Sequence, residues 1–143
     1  GQENALRIAQ SSNTLPQDKE SLFWVNVLAI PPASDKKNTL QFSVNTRIKL
    51  IYRPAGLVDK SVSENAYKQL TFARSGSTLA VKNPTPYYIN LFYLSVNNTK
   101  IKEQLTVPPR GEVNVANAPS GNTASWAAIN DFGGITPAET KSL

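Results

Sequence analysis

The chain contains no cysteine and no histidine. Without cysteine there is no disulfide, no thiolate metal site and no cysteine nucleophile, although this leaves the compartment open. Without histidine the commonest general base and metal ligand are missing. No Ser-His-Asp triad can be assembled, however many serines and acids are present. No apolar run approaches the eighteen or so residues of a transmembrane helix. Basic residues outnumber acidic ones, 15 to 10, for a net charge of +5, yet the longest basic run is Lys36-Lys37. A nucleic-acid binder gathers such charge on one face or helix, and here it is scattered. The glycine pair in Asn130-Asp131-Phe132-Gly133-Gly134 lacks the spacing and strand–helix context of a phosphate loop. These absences argue against an enzyme, a metal site, a cofactor and a nucleic-acid partner. The opening Gly1-Gln2-Glu3-Asn4 is polar, does not read as a signal peptide and lacks an initiating methionine. A mature, trimmed or partial chain is expected.

Apolar residues make up 40% of the 143 residues and are dispersed along the chain, which supports a packed core. The most regular stretch is T-L-Q-F-S-V-N-T-R-I-K-L-I-Y-R, Thr39 to Arg53, closed by Pro54. Leu40, Phe42, Val44, Thr46, Ile48 and Leu50 alternate with Gln41, Ser43, Asn45, Arg47, Lys49 and Ile51. Period-2 alternation predicts a strand over Thr39–Ile51, long against the usual five or six residues. Two readings stay open: a half-buried strand of an antiparallel sheet, or an edge strand that offers its apolar row to another protein.

Before it, Ala5–Gln10 reads as a short strand. Glu20–Ile30 reads as a central strand covered on both faces, because Phe23, Val25 and Val27 oppose Leu22, Trp24 and Leu28. Pro31-Pro32 stops it, since proline cannot donate to a ladder, and Ala33–Asn38 is a charged loop. After Pro54, residues 57–69 read as a linker with one turn of helix. Strands are then predicted at Leu70–Ala73, Thr78–Lys82, Tyr87–Val96, Lys100–Leu105, Glu112–Ala116 and Ser125–Asn130, separated by Gly-, Pro- and Asn-rich turns. Short strands at this spacing suggest an all-β sandwich.

Five segments carry a more specific signal. L-P-Q-D-K-E-S-L-F-W-V-N-V-L-A-I-P-P (Leu15 to Pro32) resembles the signature of the periplasmic pilus-assembly chaperones, the family of the P-pilus and type 1 pilus chaperones. R-I-K-L-I-Y-R-P, L-A-V-K-N-P-T-P-Y-Y-I, V-P-P-R-G and A-I-N-D-F-G-G follow in the family's order, so the likeness covers essentially the whole chain. The resemblance implies two immunoglobulin-like β-sandwich domains, here 1–54 and 55–143, with a subunit bound along the first domain and in the cleft. It implies a periplasmic chaperone that binds pilus or fimbrial subunits by donor-strand complementation and delivers them, through an outer-membrane usher, for assembly. The short 31–38 loop, with no cysteines around it, resembles the branch serving rod-like pili and fimbriae. One departure is that the family has roughly half a domain more before Ala5, including a strand with a cleft arginine. The first domain is therefore expected to be incomplete, and to need a preceding fragment, a second chain or a strand-swapped copy. The alternatives are a structural Ig-like pilin or adhesin module, which lacks the L-P-x-D-K-E-S signature, and a carbohydrate-binding sandwich with Tyr87 and Tyr88 as platform.

The resemblance also assigns residues. Lys49 matches the family's cleft lysine, and an ammonium there can bind a subunit's terminal carboxylate; without the resemblance it reads as a solvated lysine on a polar strand face. Leu40, Phe42 and Val44, with Ile48 as an extension, match the apolar row donated to a subunit by β-augmentation; the alternative is ordinary core packing. Glu20, Arg53 and Asp131 match an interdomain charge network, suited to the bidentate fork of arginine; the alternative is three unrelated surface charges.

Overall fold

The structure is a computed structural model that describes residues 5, 7–11, 14–31, 40 and 42–143. Its first sheet has two strands, β1 (Ser21–Ala29) and β2 (Val44–Tyr52), paired antiparallel from Ser21 opposite Tyr52 to Ala29 opposite Val44. Because opposed residues share a face, Phe23, Val25 and Val27 lie with Leu50, Ile48 and Thr46. The other face carries Leu22 and Trp24 opposite Ile51 and Lys49, and the Arg47 guanidinium sits 4.1 Å above the Trp24 ring.

Three expectations in this region need correction. Ala5 and residues 7–10 carry no strand. The strand predicted from Thr39 begins at Val44; Leu40, Phe42 and Ser43 precede it without pairing, and Thr39 and Gln41 lie outside the described residues. β1 is not covered on both faces: Phe23 is 42% exposed, Trp24 46% and Leu28 58%, since no second sheet packs on the ribbon among the described residues. Most of the 31–38 loop also lies outside the described residues.

Pro54 leads into helical turns at Ala55–Leu57 and Ala66–Gln69 that flank one short helix, α1 (Lys60–Asn65). Asp59 caps α1, accepting hydrogen bonds from the Ser61 and Val62 N–H groups. This is more helix than the single turn expected.

The rest is a two-layer sandwich. β3 (Thr71–Ser75), β4 (Thr78–Asn83) and β8 (Gly111–Val115) form one sheet. The other runs β10 (Glu139–Ser142), β9 (Thr123–Ala128), β5 (Ile89–Val96) and β6 (Thr99–Lys100), with β7 (Thr106–Val107) also on β5. Between the layers lie the fully buried Leu70, Leu79, Val81, Val96, Val107 and Trp126. Trp126 donates its indole N–H to the Tyr67 carbonyl at 3.0 Å and packs on Phe72 at 4.8 Å, so the one polar atom of the largest core side chain is satisfied.

The predicted strand Lys100–Leu105 is interrupted. Partner strand β5 is met at its two ends, by Thr99–Lys100 and by Thr106–Val107, and the polar Lys102-Glu103-Gln104 between them joins no ladder. The strand predicted from Tyr87 starts at Ile89, because the N–H groups of Tyr87 and Tyr88 go to the Thr85 hydroxyl and the Glu20 carboxylate instead of a ladder. Asn83 holds this turn from inside. Its buried Nδ2 donates to the carbonyls of Tyr87 (2.7 Å), Pro108 (3.0 Å) and Val107 (3.3 Å), and its Oδ1 accepts from the Thr85 N–H and hydroxyl.

Candidate functional site

The ribbon and the sandwich meet around a cleft of about 630 Å³, lined by Lys49 and Arg53 of the β2 segment and by Glu20, Asn90, Thr106 and Asp131, among others. The Glu20 N–H donates to the Pro86 carbonyl at 2.9 Å. The Glu20 carboxylate is almost wholly buried; it accepts the Tyr88 N–H at 2.6 Å and the Arg53 Nε at 2.6 Å. Arg53 turns its two terminal nitrogens onto Asp131, at 2.6 and 3.0 Å, and its guanidinium lies 5.3 Å from the Tyr87 ring centre. The structure thus brings Glu20, Arg53 and Asp131 together. The Asp131 hydrogen bonds, then the Glu20 contacts, raise the Arg53 guanidinium above its ordinary value against the opposing effect of burial.

Strand β2 positions Lys49 one residue out of phase with the apolar row, so its side chain and that of Ile48 leave on opposite faces. Its ammonium donates to Asn90 Oδ1 at 3.1 Å and to Thr106 Oγ1, while the Thr106 hydroxyl donates to Asn90 Oδ1 at 3.0 Å. Both partners are neutral, and among the described residues no carboxylate pairs with Lys49. Burial lowers its proton affinity from the ordinary lysine value. The cleft therefore holds two cations of different standing: Arg53, met by two carboxylates, and Lys49, whose charge is solvated by neutral groups and still available to an anion.

Leu40 is 76% exposed, Phe42 72%, Val44 58% and Ile48 52%; this row is not buried within the chain's own described residues. Tyr87 is buried and gives its hydroxyl proton to the Leu57 carbonyl at 3.1 Å, so Tyr87 and Tyr88 are not a two-ring surface platform. Sequence reasoning missed Asn90, Thr106, the Tyr88 N–H and the pair formed by Arg110 with Asp18. Asn90 was detectable as an amide inside the otherwise apolar Y-Y-I-N-L-F-Y-L; Thr106 gave no signal, since threonine is at home in any strand.

Comparison with known proteins identifies the family. Residues 65–140 match the family described as "Pili assembly chaperone PapD, C-terminal domain", and residues 1–58 match "Pili and flagellar-assembly chaperone, PapD N-terminal domain". The chain belongs to the pili assembly chaperone family. Chaperone protein FimC of Escherichia coli K12 is 44% identical over 143 residues, covering 96% of this chain and 58% of FimC. A chain in the structure of the Salmonella enterica SafA pilin in complex with the SafB chaperone superposes with a TM-score of 0.84 at 32% identity, covering 94% of this chain and 65% of that one. The periplasmic chaperone SfaE superposes with a TM-score of 0.74 at 41% identity, covering 92% of this chain and 62% of that one. The chain thus spans less than two thirds of the length of these relatives. The expected all-β, immunoglobulin-like fold class stands, and the pilin or adhesin alternative is not favoured, since the family and the FimC relative are chaperones. Among the described residues no helix is long and apolar enough to cross a membrane.

Proposed function

We propose that this protein is a non-enzymatic periplasmic chaperone that captures pilus or fimbrial subunits by donor-strand complementation and passes them to an outer-membrane usher. Residues 1–54 belong in this reading to the first immunoglobulin-like domain and 55–143 to the second. The carrying observation is that β2 and the residues just before it combine an ammonium with no carboxylate partner among the described residues and a run of exposed apolar side chains, Leu40, Phe42, Val44 and Ile48. A subunit chain laid along β2 gains backbone hydrogen bonds from the strand and apolar contact from Leu40, Phe42, Val44 and Ile48. Each such side chain contributes about 1.5–3 kcal/mol when removed from water, before ordering costs. Its terminal carboxylate meets Lys49. Glu20, Arg53 and Asp131 fix the angle at which the sandwich faces the strand, which holds the cleft open to that terminus. The uncovered faces of the ribbon also give two copies of the chain a surface for association or strand exchange. Periplasmic location is supported by the periplasmic relative SfaE, and subunit binding by the relative seen with a pilin.

The test is subunit capture. Refolding a denatured fimbrial subunit with the purified protein gives a soluble one-to-one complex in this account, whereas Phe42→Glu, which puts a charge into an apolar groove, leaves the subunit aggregated. Equal capture by both proteins would remove the β2 row from the recognition surface.

A further inference from the structure

Lys49 does not reach the cleft unaided. A lysine side chain has about 2 kcal/mol of rotamer freedom to lose when its head is fixed, and β2 alone offers nothing to fix it. The two groups that hydrogen-bond the ammonium both come from the sandwich: Asn90 from β5 and Thr106 from β7. The three groups form a closed triangle. Lys49 donates to both oxygens, which leaves the Thr106 hydroxyl proton to go to Asn90 Oδ1, so that oxygen accepts from both neighbours. Asn90 is itself pinned, because its carbonyl accepts the Ile129 N–H at 2.8 Å and its strand neighbours Ile89 and Leu91 are core residues.

The neutrality of the two partners matters. An aspartate at either position would also fix the ammonium, but it would cancel the charge a carboxylate ligand needs. An amide and a hydroxyl fix the head and leave the charge. They use two of the three ammonium N–H groups; the ammonium also lies 5.8 Å from the Trp24 ring centre, a neutral neighbour that leaves the charge in place. The contrast with Arg53, satisfied by Glu20 and Asp131 in the same cleft, separates a structural cation from a receptive one.

We propose that Thr106, together with Asn90, is a positioning residue for carboxylate capture: it pre-orders the Lys49 ammonium from the opposite side of the cleft without neutralising it. This rests on the proposed reading of Lys49 as the carboxylate anchor. It gives the second domain a direct part in ligand recognition, beyond setting an angle.

The experiment uses the full chain and two synthetic peptides of a fimbrial subunit's C-terminal strand, one ending in a free carboxylate and one in an amide, titrated by fluorescence or calorimetry. Wild type binds the free acid more tightly than the amide. Thr106→Val, which keeps the shape and removes the oxygen, lowers this acid-to-amide preference roughly three- to tenfold and leaves amide binding unchanged. Thr106→Ser keeps the oxygen and restores the preference. A loss of packing would instead weaken both peptides together, with a lower melting temperature, and would overturn the proposal. So would a Thr106→Val protein that keeps the wild-type preference while Lys49→Ala loses it; the anchor would then stand without its support. If wild type itself shows no preference for the acid, the anchoring role of Lys49 fails, and the positioning role with it.

Discussion

Arg53 grips the Asp131 carboxylate with both terminal nitrogens, at 2.6 and 3.0 Å, although 78 residues of chain separate them. The same guanidinium reaches Glu20 through its Nε, so one side chain ties together the start of β1, the end of β2 and the turn after β9. The two arms are not equal. The Asp131 side chain is half exposed and its pairing is screened, while the Glu20 side chain is only 1% exposed.

Removing the cation therefore acts mainly through Glu20. Arg53→Ala leaves a buried carboxylate without its counter-charge and costs on the order of 3–5 kcal/mol. Arg53→Lys keeps a charge but not the fork, and falls between the two. Urea unfolding followed by tryptophan fluorescence reads this directly, because Trp24 and Trp126 report on the ribbon and the sandwich respectively. An Arg53→Ala protein as stable as wild type would mean that the network merely decorates the junction.

Asn83 is the corresponding device inside the sandwich. It is 2% exposed, and it satisfies carbonyls of two loops while capping the Thr85 turn. Asn83→Ala strands buried carbonyls and costs on the order of 3 kcal/mol; Asn83→Asp loses the Nδ2 donors and is also destabilised. Amide hydrogen exchange should localise the damage to Thr85–Tyr88 and Val107–Arg110. Unchanged protection there would contradict the role given to this side chain.

How much of this was legible in the sequence follows from which interactions are local. β2 announced itself by alternation and β1 by a β-rich run apolar on both faces, each closed by prolines. The charge trio was legible only through the family resemblance, since nothing in the spacing of Glu20, Arg53 and Asp131 brings them together. β10, Glu-Thr-Lys-Ser, was missed because a short polar edge strand has no pattern of its own and exists by pairing with β9. The early start assigned to β5 came from reading Tyr87 and Tyr88 as strand residues, whereas their N–H groups are taken by the Thr85 hydroxyl and by Glu20. The covered central strand expected at Glu20–Ile30 failed for a related reason. Apolar residues on both faces state a need for cover, and the described chain does not supply it. Lys49 was singled out early, but its partners lie 41 and 57 residues away and only the fold reveals them.

The central claim is that an uncompensated ammonium on β2 sets the register of a bound subunit strand by holding its terminal carboxylate. A slip of one residue would turn the alternating side chains of the paired strand to the wrong face, so an anchor at one end governs the whole contact. The most direct measurement is the affinity of Lys49→Ala for a refolding subunit, with circular dichroism as the folding control. The account predicts a native spectrum and a loss of roughly ten- to hundredfold in affinity, the worth of a charge-assisted hydrogen bond. A correctly folded Lys49→Ala protein that captures subunits as tightly as wild type would contradict it.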